Sequence, residues 1–289
     1  MARRQWAGMR VLITGASQGI GRALAVAASR RGCQVIATAR SADLLNELAA
    51  EVKAAGGTIE VVAGDITSPA DRQRMADAAV QHFGGLDILV NNAGIGATGH
   101  FVESKPETLR QIFEVNYFAL CEMIRLCLPL LKQGTSPAIV NVSSVVGRRA
   151  LPARGLYSAS KFAVAGFSEA IRAELAKDGI DVVVVNPGLT QTNFSKNLLE
   201  NTARMSMEHR RGMTSERAAE AILDAAAAGR HEVTLTAQGK LLVLLSRLLP
   251  GVVDYFATRK VREVFADEIA EWERRKKDEA ANRPRASSI

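Results

Sequence analysis

The sequence predicts an α/β protein in which a doubly wound, mainly parallel sheet of seven strands carries helices on both faces. Apolar residues make up 47% of the 289 residues and charged residues 23%, which is typical of a globular chain and fits one large α/β domain. Short apolar runs alternate with Ala-, Leu-, Arg- and Glu-rich stretches of helical period, a pattern that indicates parallel strands buried on both faces. The predicted strands are Val11–Thr14, Val35–Thr38, Ile59–Ala63, Leu86–Asn91, Ala138–Val142, Asp181–Asn186 and Glu232–Thr236.

This alternation divides the chain into two predicted parts. Residues 1–236 carry the seven strands and the helices between them, with a substrate lid expected at about 193–213. Residues 237–289 form a predicted helical extension. Its apolar segment from Leu241 to Val253 precedes an amphipathic helix that begins at about Asp254, and a frayed tail follows from about Ala281.

Composition limits the classes of partner. A net charge of +7 permits anionic partners without requiring nucleic acid, and 5% aromatic residues offer no platform for stacking bases. The three cysteines lack ligand spacing, so a reduced cytoplasmic protein without disulfides or a metal site is expected. The segment 241–253 falls short of the roughly 20 apolar residues of a membrane-spanning helix. It is expected to pack on the core or a partner subunit, with peripheral contact to a membrane surface as the sharper alternative.

The first predicted strand runs directly into a glycine-rich turn from Gly15 to Gly21, and a helical pattern follows at once. Glycines at such a turn let backbone N–H groups and a helix N-terminus approach a pyrophosphate closely. A glycine cluster alone is weak evidence, but its place between a strand and a helix favours dinucleotide binding and a Rossmann-type fold. The turn residues expected to contact the cofactor are Gly15, Ser17, Gln18, Gly19, Ile20 and Gly21.

The spacing of this turn, Thr-Gly-x-x-x-Gly-x-Gly, resembles that of the short-chain dehydrogenase/reductase (SDR) family in its shorter, non-extended branch. The resemblance covers about Met9 to Thr236 and includes further motifs in the family's order. These are Asp65, Asn91-Asn92-Ala93-Gly94, Asn116, Ser144, Tyr157-x-x-x-Lys161, and Pro187-Gly188 followed by Thr192. The resemblance implies a nicotinamide-dependent oxidoreductase that acts on a carbonyl or secondary alcohol group.

The end of the second strand indicates which nicotinamide cofactor binds. Ala39 stands where NAD-preferring relatives have an acidic residue, so nothing there repels a 2′-phosphate. Arg40 can donate a forked, charge-assisted pair to that phosphate, which favours NADP(H), with NAD(H) as the alternative. The resemblance further implies adenine contacts by Asp65 and Ile66, and cofactor contacts by Asn92, Ala93 and Gly94.

Tyr157 and Lys161 are the candidate catalytic pair, because residues four apart share one face of a helix. A tyrosine pKa near 10 is too high for acid–base work at neutral pH. A neighbouring cation, together with the oxidised nicotinamide, is expected to lower it. The resemblance implies that Ser144 hydrogen-bonds the substrate oxygen, Tyr157 transfers the proton, Lys161 holds the nicotinamide ribose, and Asn116 holds a water in a proton relay.

The loops after the later strands are expected to surround the nicotinamide and the substrate. The resemblance implies cofactor contacts by Pro187, Gly188, Leu189, Thr190 and Thr192. An apolar substrate pocket is expected from Ile95, Phe101, Val145, Val146, Leu151, Leu156, Leu189 and Phe194. Such a pocket suits the reduction of a hydrophobic or lipid-like ketone. The predicted lid adds Arg204, Met205, Met207, His209, Arg210, Arg211 and Met213.

Other functions are consistent with parts of this pattern. A cofactor-sensing regulator would keep the glycine turn without needing Tyr157 and Lys161, whose joint presence favours an enzyme. A scaffold protein would not need to keep the glycine turn either, so the presence of that turn counts against this alternative. Within the enzymes, an isomerase or dehydratase of the same fold is the alternative. The helices around Asn116 and Tyr157 resemble those that the family pairs across a two-fold axis, so a homodimer or homotetramer is expected. The small residues available for this contact are Ala159, Ala163, Ala165, Gly166, Ala170 and Ala173.

Overall fold

The computed structural model describes residues 4–202 and 212–281, apart from the side chains of residues 277–281. Its strands are β1 (Arg10–Thr14), β2 (Gln34–Ala39), β3 (Thr58–Ala63), β4 (Ile88–Asn91), β5 (Ala138–Val142), β6 (Asp181–Asn186), β7 (Thr190–Gln191), β8 (Met213–Thr214) and β9 (Glu232–Thr234). Seven of them form one parallel sheet in the order β3-β2-β1-β4-β5-β6-β9, which confirms the predicted fold class. β7 and β8 form a separate short pair.

Helices connect the strands of the main sheet and extend beyond the last one. They are α1 (Gly19–Arg30), α2 (Ala42–Ala54), α3 (Pro69–Phe83), α4 (Pro106–Phe113), α5 (Ala119–Lys132), α6 (Gly155–Leu175), α7 (Ser215–Ala227), α8 (Ala237–Leu248), α9 (Pro250–Val264) and α10 (Ala266–Ala281). α3 has clear local signals: the Ser68 side chain accepts from Asp71 N at 3.3 Å, Pro69 stands at the first position, and Gly84 ends the helix with φ +71°.

Two predicted strands are shorter in the structure, for local reasons. β4 begins at Ile88 rather than Leu86. The intervening Asp87 is buried, and its carboxylate accepts from Arg10 N at 2.8 Å and from Thr135 N at 2.7 Å. β9 ends at Thr234 because the Thr236 hydroxyl accepts from Gly239 N at 3.1 Å and starts α8.

The core lies in two apolar layers, one on each face of the sheet. Alternate strand residues face opposite sides, so Val11 and Ile13 pack into the layer under α1, α2 and α7, whereas Leu12 packs into the layer under α3, α5 and α6. Both faces of the central strands are thereby buried. This explains why their sequences are continuously apolar rather than alternating.

The strand order reverses between β1 and β4, which are neighbours in the sheet although β2 and β3 separate them in the chain. Successive connections therefore diverge to opposite sides at this point and leave a crevice at the carboxyl ends of the strands. Ligands of open α/β sheets bind at such a switch point.

The chain separates into two compact units, Met1–Leu244 and Leu245–Ile289, so that the division falls within α8. In the second unit the predicted single amphipathic helix is two helices, α9 and α10, with Phe265 at the break. α8 ends before Pro250, which stands at the first position of α9, because proline lacks the N–H that a continuing helix needs.

The second unit exposes a series of large apolar side chains. The exposed residues are Leu245, Leu248, Leu249, Val252, Tyr255, Phe256 and Trp272. Within the described part of the chain, no single helix is long and apolar enough to cross a membrane, and only the interrupted pair of α8 and α9 meets that criterion together.

Candidate active site

A cavity of about 1150 Å³ lies at the carboxyl ends of the strands, at the switch point between β1 and β4. The ends of β1 to β6 all contribute residues to its wall. Of the predicted cofactor contacts, the cavity is lined by Gly15, Ser17, Gln18, Gly19, Ile20, Arg40, Asp65, Ile66, Asn92, Ala93, Gly94, Tyr157, Lys161, Pro187, Gly188, Leu189, Thr190 and Thr192. Gly21 does not line it, because this residue packs beneath the turn.

The glycine turn forms a cradle that larger residues would fill. Gly15 and Gly19 have φ of +68° and +57°, a region that glycine adopts without strain. A Cβ on Gly15 would lie 2.8 Å from the Cα of Ala93, and one on Gly21 would overlap the Gly15 carbonyl oxygen. α1 begins at Gly19 with no side-chain cap and no acidic residue in its first turn, which leaves backbone N–H groups for an anionic ligand.

The cradle is held by hydrogen bonds between the ends of β1 and β4. The Thr14 hydroxyl accepts from Asn92 N and Ala93 N, both at 3.1 Å. The Asn92 side-chain amide donates to the Thr14 and Gly15 carbonyl oxygens at 3.0 and 3.1 Å. Thr14 was not among the predicted site residues, although its place directly before Gly15 was a usable signal.

The end of the cavity beside β2 and β3 holds the residues predicted to bind the adenosine part of the cofactor. Ala39, Arg40 and Ser41 line it from β2, and Arg40 is exposed, with no ion pair to any described residue. Asp65 accepts from Thr67 N and from the Thr67 hydroxyl, both at 2.8 Å, which fixes the carboxylate in place.

The ends of β5 and α6 bring Ser144, Tyr157 and Lys161 together in the wall of the same cavity. Tyr157 is 9% exposed and Lys161 is 4% exposed. The Lys161 ammonium donates to the Val142 carbonyl oxygen at 2.9 Å and lies 5.8 Å from the centre of the Tyr157 ring. The neighbouring Ser143 hydroxyl donates to the Lys161 carbonyl oxygen at 3.0 Å, so it fastens α6 to the sheet.

Burial dominates the protonation of the catalytic pair. It raises the pKa of Tyr157 to about 12, against the opposing effects of the nearby Arg154 charge and the Ser144 hydrogen bond. Burial also lowers the pKa of Lys161 to about 8. In the protein without its cofactor, Lys161 therefore does not lower the pKa of Tyr157 as expected. Tyr157 is protonated at neutral pH.

Asn116 lies behind the cavity wall rather than in it. A π-helical turn, Glu114–Phe118, joins α4 to α5 and turns this buried side chain towards the end of β4. Its amide oxygen accepts from Ile95 N at 2.8 Å, and its amide nitrogen donates to the Ile95 carbonyl and the Ser160 hydroxyl. These bonds hold the turn after β4 beside Lys161, since a Cβ on Gly94 would lie 3.3 Å from Asn116 Oδ1 and 3.5 Å from Lys161 Nζ.

The wall on the other side of Tyr157 comes from the loop after β6. Gly188 leaves no room for a side chain, because a Cβ there would overlap the Thr236 hydroxyl. The Thr192 hydroxyl accepts from Phe194 N at 3.2 Å. The Phe194 ring lies 5.4 Å from that of Tyr157, centre to centre, and so covers the phenol.

Of the eight residues predicted for the substrate pocket, six line this cavity. Ile95, Val145, Val146, Leu151, Leu189 and Phe194 line the cavity. Phe101 does not, because the loop after β4 turns it outwards and leaves it 77% exposed, and Leu156 does not contribute either. Additional wall comes from Leu199 and from residues at the start of α8, namely Gln238, Gly239 and Leu242. Within the predicted lid, residues 203–211 lie outside the described part of the chain, and with them Arg204, Met205, Met207, His209, Arg210 and Arg211.

Arg154 is a site residue that sequence reasoning missed. It lines the cavity at the start of α6, three residues before Tyr157, and is half-buried. Burial lowers the pKa of its guanidinium below the usual value. A single arginine in a loop carries no periodicity or motif spacing, so nothing in the sequence distinguished it.

Comparison with known proteins gives consistent matches over most of the chain. The family model for short chain dehydrogenase matches residues 9–203. The chain is 31% identical over 248 residues to an uncharacterized oxidoreductase, YxnA, of Bacillus subtilis (strain 168), covering 84% of this chain and 70% of that protein. It is 32% identical over 266 residues to dehydrogenase/reductase SDR family member 7B of Bos taurus, covering 86% of this chain and 82% of that one.

Solved structures match in the same region. A short chain dehydrogenase/reductase from Burkholderia phymatum in complex with NAD is 26% identical, with a TM-score of 0.78 over 84% of this chain and 94% of that chain. A short chain dehydrogenase from Burkholderia cenocepacia J2315 in complex with NADP is 30% identical, with a TM-score of 0.75 over 88% and 99% of the two chains.

Proposed function

Because the chain belongs to the short chain dehydrogenase/reductase family of oxidoreductases, we propose that it reduces a hydrophobic ketone with NADPH. The observation that carries this proposal is the single cavity wall shared by the glycine cradle, Arg40, and the group of Ser144, Tyr157 and Lys161. A cofactor and a carbonyl bound there would meet at Tyr157. The bound nicotinamide supplies the hydride, and the protein supplies orientation and a proton.

The residues present fit a nicotinamide dinucleotide phosphate. The uncapped start of α1 and the side-chain-free surface of Gly15 and Gly19 suit a pyrophosphate. At the end of β2, Ala39 contributes no carboxylate next to Arg40, which is exposed and lines the cavity. A forked donor of this kind binds a 2′-phosphate better than it binds a hydroxyl.

Replacing Arg40 with alanine is expected to remove most of the preference for NADPH over NADH. The loss should be roughly 1.5–3 kcal/mol, the range for a hydrogen bond to a charged group. Calorimetric titration of both cofactors measures it. Arg30→Ala, which removes an exposed arginine outside the cavity, is the matched control and should keep the preference. Equal affinity of the unmodified protein for both cofactors would contradict the NADP(H) assignment.

The proposed mechanism follows from the protonation of the buried pair. Tyr157 is protonated at neutral pH because burial raises its pKa to about 12, so it enters the reaction as a proton donor. The Ser144 hydroxyl, close enough to hydrogen-bond Tyr157, orients the same carbonyl oxygen. The Lys161 ammonium is charged below its pKa of about 8 and stabilises the phenolate left behind. A protonated Tyr157 is the form that reduction of a carbonyl requires.

The side chains that line the cavity around Tyr157 are mostly apolar, which supports a substrate that is apolar apart from its carbonyl group. Val145 and Val146 follow β5, Leu151 precedes α6, and Leu189 and Phe194 follow β6. These side chains can hold an aliphatic or aromatic chain while the carbonyl lies at Ser144 and Tyr157. A hydrophobic or lipid-like ketone is therefore the substrate class that we propose.

We also propose that the chain forms a homodimer or homotetramer through α6. Ala159, Gly166, Ala170 and Ala173 are exposed, whereas Ala165 is buried and packs within the chain. Phe162 is exposed beside these small residues, and a Cβ on Gly166 would meet nothing within 4 Å. An exposed stripe of small residues beside an exposed aromatic ring suits close approach by the same helix of a second copy.

For the second unit we propose contact with a membrane surface. Leu248, Leu249 and Phe256 are 67%, 51% and 60% exposed. Exposed leucine and aromatic side chains next to basic residues such as Arg247 are typical of helices that lie in the interface of a bilayer. Nearby acidic residues weaken the attraction to anionic lipid, so the apolar residues must supply most of the affinity.

The full chain is expected to sediment with phosphatidylcholine–phosphatidylglycerol vesicles, and the double variant Leu248→Glu/Phe256→Glu is expected to remain in solution. Val80→Glu, which changes an exposed apolar residue on α3, is the control. Light scattering on the same samples should give a multiple of 31.0 kDa for all three proteins. A fall to the monomer mass in the double variant would identify the exposed residues as a subunit interface instead.

A further inference from the structure

The cavity wall beside Tyr157 contains a cation that the proposed reaction does not use. Arg154 lines the cavity and is half-buried, yet its guanidinium forms no hydrogen bond or ion pair with any residue in the described ranges 4–202 and 212–281. Arg148, which follows β5, is by contrast paired with Glu232 at 2.8 Å. Arg154 therefore has five donor groups available to a bound molecule.

The backbone before Arg154 is strained in a way that fixes its position. Ala153 has φ +61°, one of two non-glycine residues with positive φ among the described residues. Its carbonyl oxygen accepts from Gly99 N at 2.9 Å, and Arg154 N donates to the Leu151 carbonyl oxygen at 3.2 Å. Such strain persists where the surrounding structure requires it, commonly at ligand sites.

Arg154 and Arg40, the cation proposed to bind the cofactor, lie at different ends of the cavity. Arg40 follows β2 and Tyr157 lies beside the end of β5, and these strands are three places apart in the sheet. At about 4.8 Å per strand this spacing is roughly 14 Å. The guanidinium of Arg154 is close enough to Tyr157 to influence its protonation. Arg154 therefore belongs to the substrate end of the cavity.

We propose that Arg154 binds a carboxylate of the substrate, so that the enzyme reduces oxo acids with an apolar chain. This inference rests on the proposed reductase function and specifies its substrate class. A single guanidinium matches a carboxylate in charge and geometry. A phosphate dianion would call for a second cation, and among the described cavity residues the other basic groups are Lys161, engaged with the Val142 carbonyl, and the exposed Arg40 and Arg110. The apolar side chains of the cavity wall around Tyr157 would hold the apolar chain of the substrate.

Binding of a non-reducible acid tests the subsite without requiring turnover. Decanoate and methyl decanoate are titrated calorimetrically into the full chain saturated with NADP+. The unmodified protein should bind the acid more tightly than the ester, and Arg154→Met should reduce this acid-to-ester ratio at least roughly tenfold. Arg154→Lys should keep part of the ratio, and Arg30→Met should keep all of it. The melting temperature of Arg154→Met should equal or exceed that of the unmodified protein, since an unpaired, half-buried charge is removed.

Kinetics with medium-chain oxo acids and their methyl esters complete the test. The ratio of kcat/KM for acid over ester should fall in Arg154→Met and not in Arg30→Met. Equal binding of decanoate and its ester by the unmodified protein would overturn the carboxylate subsite. An equal loss for acid and ester in Arg154→Met would also overturn it and would assign Arg154 to the protonation of Tyr157. Discrimination in binding without reduction of any oxo compound would support the subsite and reject the reductase proposal.

Discussion

Replacing Tyr157 with phenylalanine is expected to lower kcat for carbonyl reduction by about 10²- to 10⁴-fold, the usual contribution of a positioned general acid. The raised pKa of the Tyr157 phenol, which lies beside Ser144, keeps a proton available to a substrate oxygen at neutral pH. Phenylalanine keeps the ring and its contact with Phe194, so the shape of the pocket should change little. NADPH affinity should therefore stay close to that of the unmodified protein.

Stopped-flow single turnovers with saturating NADPH separate this effect from product release. The chain provides a matched control in Tyr255→Phe, which removes an exposed hydroxyl from α9 and should leave the rate unchanged. Substantial activity in Tyr157→Phe would mean that another group, with Ser144 the first candidate, donates the proton.

The parallel sheet was predictable because its strands are buried on both faces. Val11 and Leu12 face opposite layers and are both fully buried, which forces a continuous apolar run that differs from helical and from half-buried patterns. Since parallel strands all end at one edge of the sheet, residues placed after β1, β2, β4 and β5 meet there. Motifs that are far apart in the sequence therefore line the same cavity.

Residues whose position depends on loop conformation were not predictable. Phe101 was expected in the pocket because it follows β4, but the direction in which a loop turns is set by tertiary contacts. Arg154 lines the cavity directly after Ala153, whose positive φ no sequence pattern indicates. The raised pKa of Tyr157 in the chain without cofactor was not predictable either, because the depth of burial that raises it cannot be deduced from spacing.

The π-helical turn around Asn116 is a further feature that helical periodicity does not indicate. One continuous helical pattern across α4 and α5 would place Asn116 at an ordinary helical position. The widened turn instead directs its side chain to Ile95 and Ser160. Such turns insert a residue into a helix and are common at functional sites. The role of this asparagine in supporting the end of β4 is therefore visible only in the folded structure.

Replacing Gly21 with alanine is expected to disrupt the glycine cradle, although this residue does not line the cavity. The new Cβ would overlap the Gly15 carbonyl oxygen and the Asn92 amide nitrogen, and those two groups are joined by a hydrogen bond of 3.1 Å. Neither can move without shifting the turn that faces the cofactor. Overpacking of this kind typically lowers the free energy of unfolding by about 1–3 kcal/mol. Displacing the turn by about 1 Å should lower kcat/KM for NADPH by roughly 10²-fold.

Gly251→Ala is the matched control, because Gly251 also lies in the first turn of a helix and a Cβ there would meet nothing within 4 Å. Helix propensity alone favours alanine over glycine by roughly 0.5–1 kcal/mol at interior positions. The control should therefore be neutral or slightly more stable, whereas Gly21→Ala should be less stable because steric overlap outweighs propensity. Urea unfolding and calorimetric titration of NADPH measure both proteins. If the two variants behaved alike, the close packing of Gly21 under Gly15 would not be what holds the cradle in its binding conformation.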